Sequence, residues 1–314
     1  MPPILAPAAS ADPTDLADWL ELIAVTTLDS NSSRHDLMTA IRRSGTIDAA
    51  RIADAADDAR PLDEAVEQEA DELEVLADAA FAQLEIRATY LGPDYPFTVG
   101  NGVLTANEHA VASPYVFLSA LTQFGLKIPN APESGAELFE LVSADALVQH
   151  LGGAPAVRSY DFGSPRRSTA KSFHAAIEDL CLSMGEGRGC KVAKPLTATV
   201  RDAKLDIVAW VPFGDGRSNQ VSVFGQCATG RNWPGKVNEL QPVDFCRMWL
   251  QEPPAMSPLL AFFVPMHLED DDWMAAAIGE RRLLFDRLRI AKSLAGLRAN
   301  LSARCAAWTA AAVA

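Results

Sequence analysis

A β-hairpin is the strongest structural signal in this amino-acid sequence. Two runs rich in β-branched and aromatic residues, 205–213 (LDIVAWVPF) and 220–228 (QVSVFGQCA), flank the tetrapeptide Gly214-Asp215-Gly216-Arg217. Glycine and aspartate in a short connection between two such runs favour a tight turn. The chain is therefore expected to contain a β-sheet, and a purely helical protein is disfavoured.

Further helices and strands surround the hairpin in the second half of the chain. Apolar periodicity predicts a helix over residues 169–185 and a second helix that begins near Asn232. Further β-rich or apolar runs predict strands at 196–200, 259–264 and 283–285, and a last helix is expected from about Arg287. The order helix, three strands, helix, strand indicates an α/β layer in which helices cover a mixed sheet.

The first half of the chain has helical periodicity instead. Helices are predicted at 14–23, 33–45, 47–59, 63–90, 114–125 and 135–151. Residues 91–113 contain Gly, Pro and Asn and are interpreted as a loop, and the Gly-, Pro- and Ser-rich stretch 152–168 is interpreted as a domain boundary. The sequence thus predicts an all-α domain over residues 1–160, followed by an α/β domain over residues 161–314.

Charge is divided unevenly between these two parts. Of the formal net charge of −14, residues 1–165 contribute 8 basic against 26 acidic side chains, whereas residues 166–314 contribute 19 basic against 15 acidic ones. A polyanion such as nucleic acid would be repelled by the first part and tolerated by the second. We therefore expect a protein or a small signalling molecule, rather than nucleic acid, as the partner of the acidic N-terminal part.

Composition places the chain among ordinary globular proteins. Hydrophobic residues make up 49% and charged residues 22%, which excludes wholesale disorder. The longest apolar run, 259–266, is too short to cross a bilayer, so no membrane association is expected. The five cysteines include no CxxC pair or zinc-site spacing, which favours reduced core thiols and a cytoplasmic location.

Three oxygen-bearing side chains in the second half are candidate metal ligands. Glu178 lies on the helix before the hairpin, Asp206 opens the first hairpin strand, and Gln226 is near the end of the second. Because the start of one antiparallel strand and the end of its neighbour lie at the same sheet edge, Asp206 and Gln226 are expected to meet. Magnesium suits so sparse a site because it keeps waters and shares its ligands with substrate phosphate.

The residues around these side chains resemble the catalytic core of the PD-(D/E)XK nuclease superfamily, in its Mrr-type restriction endonuclease branch. The resemblance rests on the segments FHAAIEDLCLSMGEGRGCKV, DAKLDIVAW and VSVFGQCATG. The family has a helix glutamate, an aspartate at a strand start and a Q-x-K at the end of the next strand. Carried over, Glu178, Asp206 and Gln226 are catalytic residues that hold Mg²⁺ or Mn²⁺ in a restriction-endonuclease-like core.

One position departs from the family pattern. The lysine expected two residues after Gln226 is replaced by Ala228. Such a lysine orients the attacking water or stabilises charge on the phosphate. Lys236, in the helix expected after Asn232, is the candidate to take over this role, and Asp202 and Glu239 are alternatives for the Asp206 and Glu178 positions.

The resemblance implies a metal-dependent nuclease that hydrolyses phosphodiester bonds in DNA, with RNA not excluded, in bacterial anti-phage defence or restriction. Basic side chains that would contact the nucleic acid are Arg166, Arg167, Lys171 and Arg231. A homodimer is expected, since cutting both strands of a duplex requires two sites. The alternative is a catalytically inactive nuclease fold that serves as a scaffold or binding subunit, which Ala228 favours. Asp286 and Arg287 are interpreted as a structural ion pair without catalytic function.

Overall fold

The computed structural model describes residues 4–44, 62–163, 172–193, 203–277, 282–294 and 298–314. These residues form a five-stranded mixed sheet and a three-stranded antiparallel sheet together with helices, which confirms the predicted α/β class. The predicted helix at 47–59 and the predicted strand at 196–200 lie outside the described residues. Arg166, Arg167 and Lys171 lie outside them as well.

The N-terminal part of the chain contains five described helices and three short strands. In chain order they are α1 (Pro13–Thr26), β1 (Asn31–Ser33), α2 (Arg34–Arg43), α3 (Leu62–Leu91), β2 (Phe97–Gly100), β3 (Val103–Ala106), α4 (Pro114–Phe124) and α5 (Gly135–His150). Ser33 begins α2 with a capping box, because its hydroxyl accepts from the Asp36 N–H while the Asp36 carboxylate accepts from the Ser33 N–H. The helix bounds agree with the predicted ones to within a few residues.

The prediction of an all-α N-terminal part is wrong, because β1, β3 and β2 form an antiparallel sheet in that order. The β2–β3 hairpin turns at Asn101 and Gly102, whose φ angles are 52° and 70°. Asn-Gly is a favoured pair for a two-residue turn with positive φ at both positions. The prediction of a loop over residues 91–113 is therefore wrong, because it rested on the Gly, Pro and Asn content and overlooked the Asn-Gly turn.

The C-terminal part builds the larger sheet. Its elements are β4 (Arg158–Asp161), α6 (Phe173–Met184), β5 (Ile207–Val211), β6 (Val221–Cys227), α7 (Pro242–Trp249), β7 (Leu259–Phe263), α8 (Asp270–Ala277), β8 (Arg282–Phe285), α9 (Arg287–Ser293) and α10 (Ala299–Val313). The strands follow each other in chain order across the sheet. The pairs β4–β5 and β5–β6 are antiparallel, and the pairs β6–β7 and β7–β8 are parallel.

The element order differs from the predicted one at two points. The strand beside β5 is β4, which precedes α6 and lies across the predicted boundary at residue 160. The helix predicted to begin near Asn232 is only a 3₁₀ turn, Trp233–Gly235, and the helix of this connection is α7. Pro234 supplies no backbone N–H, and Pro242 lies at the first position of α7, where a missing N–H is tolerated.

Helices cover both faces of the large sheet. On one face, α5 and α10 contribute residues such as Val142 and Trp308 to a cluster with Ile207, Val223 and Phe263. On the other face, α6 and α7 pack residues such as Phe173 and Phe245 against strand residues such as Phe224. The first cluster joins side chains from both sides of residue 160, and the division into two domains stays a prediction.

A buried network of charges connects α1, α3 and α9. The Arg287 guanidinium donates to both carboxylate oxygens of Asp18, at 2.5 and 2.7 Å. Arg87 Nη1 lies 2.8 Å from Asp18 Oδ1 and 3.0 Å from Glu21 Oε2. The predicted ion pair of Asp286 with Arg287 is therefore wrong as to the partner, since Asp286 instead caps α9 by accepting from the Arg289 N–H.

Candidate functional site

Asp206 and Gln226 lie at the same end of the large sheet. The β5–β6 register ends with Ile207 opposite Gly225, so Asp206 directly precedes β5 and Gln226 directly follows Gly225. The Asp206 N–H donates to the Gly225 carbonyl at 2.9 Å. Both sequence-predicted residues thus lie at the sheet end expected from the hairpin, whereas the meeting of their side chains stays a prediction.

Two neighbouring segments, β6 and the residues after β4, hold Asp206 in place. Its Oδ2 accepts a 2.7 Å hydrogen bond from the Cys227 N–H. Its backbone carbonyl accepts from the N–H groups of Phe162 and Gly163, at 2.7 and 3.0 Å, just after β4. The side chain is half-buried. The carboxylate is therefore fixed at the junction of β4, β5 and β6.

The Gln226 side chain is 4% exposed, and only one of its two polar atoms has a hydrogen-bond partner within the described part of the chain. Its Nε2 donates to Glu239 Oε2 at 3.1 Å, and this contact orients the amide because a carboxylate only accepts hydrogen bonds. Lys204 Nζ lies 3.2 Å from the same Glu239 oxygen. The Gln226 Oε1 atom is buried and has no hydrogen-bond partner among the described residues.

Two further carboxylates lie near this sheet end, around the Cys227 thiol. Burial, and then the neighbouring Asp206, Glu140 and Asp161 carboxylates, raise the pKa of Cys227 well above its ordinary value, so the thiol stays protonated. Asp161 ends β4 and Glu140 lies on α5. Sequence reasoning missed both residues because β4 was interpreted as part of a domain boundary and α5 was assigned to a separate all-α domain.

Glu178 lies in different surroundings. Its Oε1 accepts a 2.9 Å hydrogen bond from the Cys190 N–H, and His174 Nε2 is 3.9 Å from the same oxygen. A side chain at Gly189, where φ is +93°, would collide with the Glu178 carboxylate. Among the described residues, the contacts of Glu178 thus bind the 187–190 loop to α6 and do not include Asp206 or Gln226.

The position of the missing lysine is part of a hydrophobic cluster. Ala228 is 1% exposed and packs with Trp233, Val237 and Phe262. A lysine ammonium at this position would lose its water without a partner, which disfavours it. Lys236 follows the 3₁₀ turn and lies in no α-helix, so the prediction that it belongs to a helix after Asn232 is wrong. Its backbone carbonyl accepts from the Glu239 N–H at 2.9 Å, so Lys236 belongs to the segment that carries Glu239.

Arg231 has a partner in the N-terminal part of the chain. Its guanidinium makes two 3.1 Å hydrogen bonds to the Asp15 carboxylate at the start of α1, and these contacts raise the pKa of Arg231 further. The pair is largely exposed, so phosphate would compete with Asp15 for Arg231.

The oxygen ligands available at this sheet end are few. Within the described ranges, no three His, Cys, Asp or Glu side chains are grouped so as to hold a metal ion. Asp206 and Gln226 offer a carboxylate and an amide at this sheet end, and magnesium often binds through one or two carboxylates and completes its shell with water and substrate phosphate.

Comparison with protein-family models, with curated proteins and with solved structures finds no match to this chain. None of the helices in the described part of the chain combines the length and apolar character needed to cross a membrane.

Proposed function

We propose that this chain is a Mg²⁺- or Mn²⁺-dependent nuclease that hydrolyses phosphodiester bonds in DNA, with its site at Asp206 and Gln226. The proposal combines the resemblance of the sequence to PD-(D/E)XK nucleases with the position of the two residues at one sheet end. Its biological setting would be cytoplasmic anti-phage defence or restriction. RNA as a substrate, a homodimer and a partner protein for the acidic part belong to the same proposal.

The buried amide oxygen of Gln226 is the observation that carries this proposal. A buried acceptor without a partner costs roughly 1–3 kcal/mol, so a ligand that binds there would recover that free energy. The atom is an oxygen, the Asp206 carboxylate lies at the same sheet end, and hard divalent cations prefer such ligands. The two residues therefore fit a cation that also binds substrate phosphate.

The residues around the pair have separable tasks. When bound, the cation would lower the pKa of a coordinated water and offset charge on the scissile phosphate. Asp206 and Gln226 would hold it, while Cys227 keeps the Asp206 carboxylate oriented through its N–H. Lys204, fixed by Glu239, would stabilise negative charge on the phosphate, a task that Lys236 on the same Glu239 segment would otherwise perform.

Cleavage of plasmid and short duplex DNA with Mg²⁺ or Mn²⁺ tests the proposal. We expect Asp206→Asn to lose at least about a hundredfold in rate, because the amide supplies less charge to the cation. The fold should persist, since asparagine keeps an oxygen that accepts from the Cys227 N–H. Lys204→Met should lose about 10²-fold or more if its ammonium stabilises the phosphate.

Asp244→Asn is the matched control, because Asp244 is an exposed α7 residue. The proposal would be contradicted if Asp244→Asn loses as much cleavage rate as Asp206→Asn, or if Asp206→Asn cleaves as fast as wild type. If Lys204→Met cuts as fast as wild type and Lys236→Met does not, Lys236 performs the lysine's task. If the wild type cuts neither DNA nor RNA, the proposed nuclease activity is rejected.

A catalytically inactive nuclease fold is the second candidate, and the burial of Ala228 favours it. The family's lysine position is filled by a core residue, so catalysis depends on a lysine elsewhere. The inactive form would still bind DNA in the presence of Mg²⁺, so gel-shift assays without cleavage would identify it. Binding that Asp206→Asn leaves unchanged would contradict a role for the pair in either candidate.

A further inference from the structure

A cavity of about 360 Å³ opens at the edge strand of the large sheet, apart from the site described above. It lies between the ends of α3 and α5, strand β8 and helix α9. Its lining residues are Tyr90, His150, Leu283, Leu284, Phe285, Arg289, Lys292 and Ser293. This volume is within the range of small-molecule sites, which begins at roughly 300 Å³.

The charged groups of this cavity are basic. Arg289 and Lys292 come from α9 and His150 from the end of α5, and no described lining residue is an acid. Asp94, whose carboxylate lies 3.9 Å from Lys292 Nζ, is not among the lining residues. These basic groups make the cavity locally attractive to an anion, although the chain as a whole has a formal net charge of −14.

Contacts with neighbouring groups fix the two permanent cations. Arg289 Nη1 donates to the Leu284 carbonyl at 3.1 Å, and its guanidinium lies 4.1 Å from the centre of the Trp273 ring. Lys292 Nζ donates to the Leu91 carbonyl at 3.1 Å. Side chains ordered before binding lose less entropy when a ligand arrives, so these contacts favour affinity.

The edge of β8 adds a backbone donor. The Phe285 carbonyl accepts from the Val264 N–H on the β7 side of the strand. Because successive residues of a strand turn their backbone groups to opposite sides, Leu284 turns its N–H and carbonyl to the open edge. Arg289 already binds that carbonyl, which leaves the Leu284 N–H directed to the side where the cavity lies.

We propose that this cavity binds the phosphate group of a small phosphate monoester. Arg289, Lys292 and the Leu284 N–H would hold the phosphate oxygens, because ionised oxygens make their strongest hydrogen bonds with cationic and backbone donors. The carbon atoms of Tyr90, Leu283 and Phe285 would contact the ring or chain that carries the phosphate. The inference is independent of the proposed nuclease, because it uses none of the residues at the Asp206 end.

Calorimetric titration of the full chain with adenosine 5′-monophosphate, adenosine and inorganic phosphate tests this inference. We expect the monophosphate to bind and adenosine not to bind, because only the phosphate carries charge. Lys292→Gln should weaken monophosphate binding roughly tenfold, the effect of one lost charge-assisted hydrogen bond. Lys292→Arg, which keeps the charge, should restore most of the affinity.

Lys127→Gln is the control, because Lys127 is an exposed lysine that does not line the cavity. Phosphate that competes with the monophosphate supports the assignment of the oxygens to Arg289 and Lys292. The inference would be overturned if the monophosphate does not bind or if adenosine binds equally well. It would also be overturned if Lys127→Gln and Lys292→Gln weaken monophosphate binding equally.

Discussion

His267 shows how strongly its surroundings control a single titratable group. It lies half-buried after β7, and its Nδ1 accepts a 3.2 Å hydrogen bond from Arg87 Nε. Burial, followed by the positive charges of Arg87 and Arg287, lowers the pKa of His267 to about 3. An unfolded histidine has a pKa near 6.5. The folded protein therefore keeps this imidazole neutral at pH values where the unfolded chain protonates it.

This difference predicts a loss of stability in mild acid. As the pH falls from 7 to 4, the unfolded chain takes up a proton at His267 that the folded protein does not, which lowers the free energy of unfolding by about 3 kcal/mol. His267→Gln keeps an acceptor for Arg87 and should remove this part of the pH dependence. Urea unfolding of both proteins at pH 7 and pH 4 measures it, and identical pH dependences would contradict the assignment.

The β2–β3 hairpin depends on a glycine for its backbone conformation. Gly102 has a φ of +70°, and a Cβ there would lie 3.1 Å from Arg34 Cδ. We expect Gly102→Ala to lower the free energy of unfolding by about 1–2 kcal/mol, because an L-residue is strained in the left-handed region.

Gly100 in the same hairpin is a matched control, because a Cβ there meets no atom within 4 Å and its φ is not positive. Gly100→Ala should change the free energy of unfolding by less than about 0.5 kcal/mol. Urea unfolding of the two variants measures the difference, and equal effects would show that the turn geometry is not the cause.

The elements that the sequence predicts best are those with a local signal. The β5–β6 hairpin was predicted because two β-rich runs flank a turn, and its register sets Asp206 and Gln226 at the same sheet end as expected. β1 and β4 have only three and four residues, so periodicity does not distinguish them from loops. The 3₁₀ turn near Asn232 was mistaken for a helix because Trp233, Val237 and Leu240 have helical spacing while Pro234 interrupts it.

Contacts between distant parts of the chain escaped sequence reasoning altogether. Asp18 and Arg287 are 269 residues apart, and nothing in either neighbourhood identifies the other as its partner. The same holds for Gln226 and Glu239, whose contact arises only because the connection after β6 folds back over the strand end. A single sequence therefore identified the strand residues of the proposed site but not the contacts that surround them.

The Asp18–Arg287 pair holds the N-terminal helix to the C-terminal part of the chain. Burial alone would raise the pKa of Asp18, but Arg287 and Arg87 outweigh it and lower the pKa to about 2. Asp18→Asn would leave two buried guanidinium groups with less compensating charge. Breaking a buried pair costs about 3–5 kcal/mol, and we expect a loss of that size at pH 7 in urea unfolding.

The contribution of Asp18 also has a defined pH window. Because its folded-state pKa lies below the ordinary value of 3.8, the stabilisation is present above pH 4 and is lost as the pH falls through 2. Asp15→Asn is the control, since the exposed Asp15–Arg231 pair should contribute less than about 1 kcal/mol. An equal loss of stability in both variants would contradict the importance of burial.

Binding of Mn²⁺ to the full chain in the presence of a short DNA duplex, compared between wild type and Gln226→Met, tests the cation site most directly. Methionine resembles glutamine in size but offers no amide oxygen. We predict at least tenfold weaker Mn²⁺ binding, with the free energy of unfolding of the metal-free protein unchanged or increased, because the unpaired buried oxygen is gone. Unchanged Mn²⁺ binding, or a strongly destabilised metal-free variant, would contradict the account, since Gln226 would then have a structural role only.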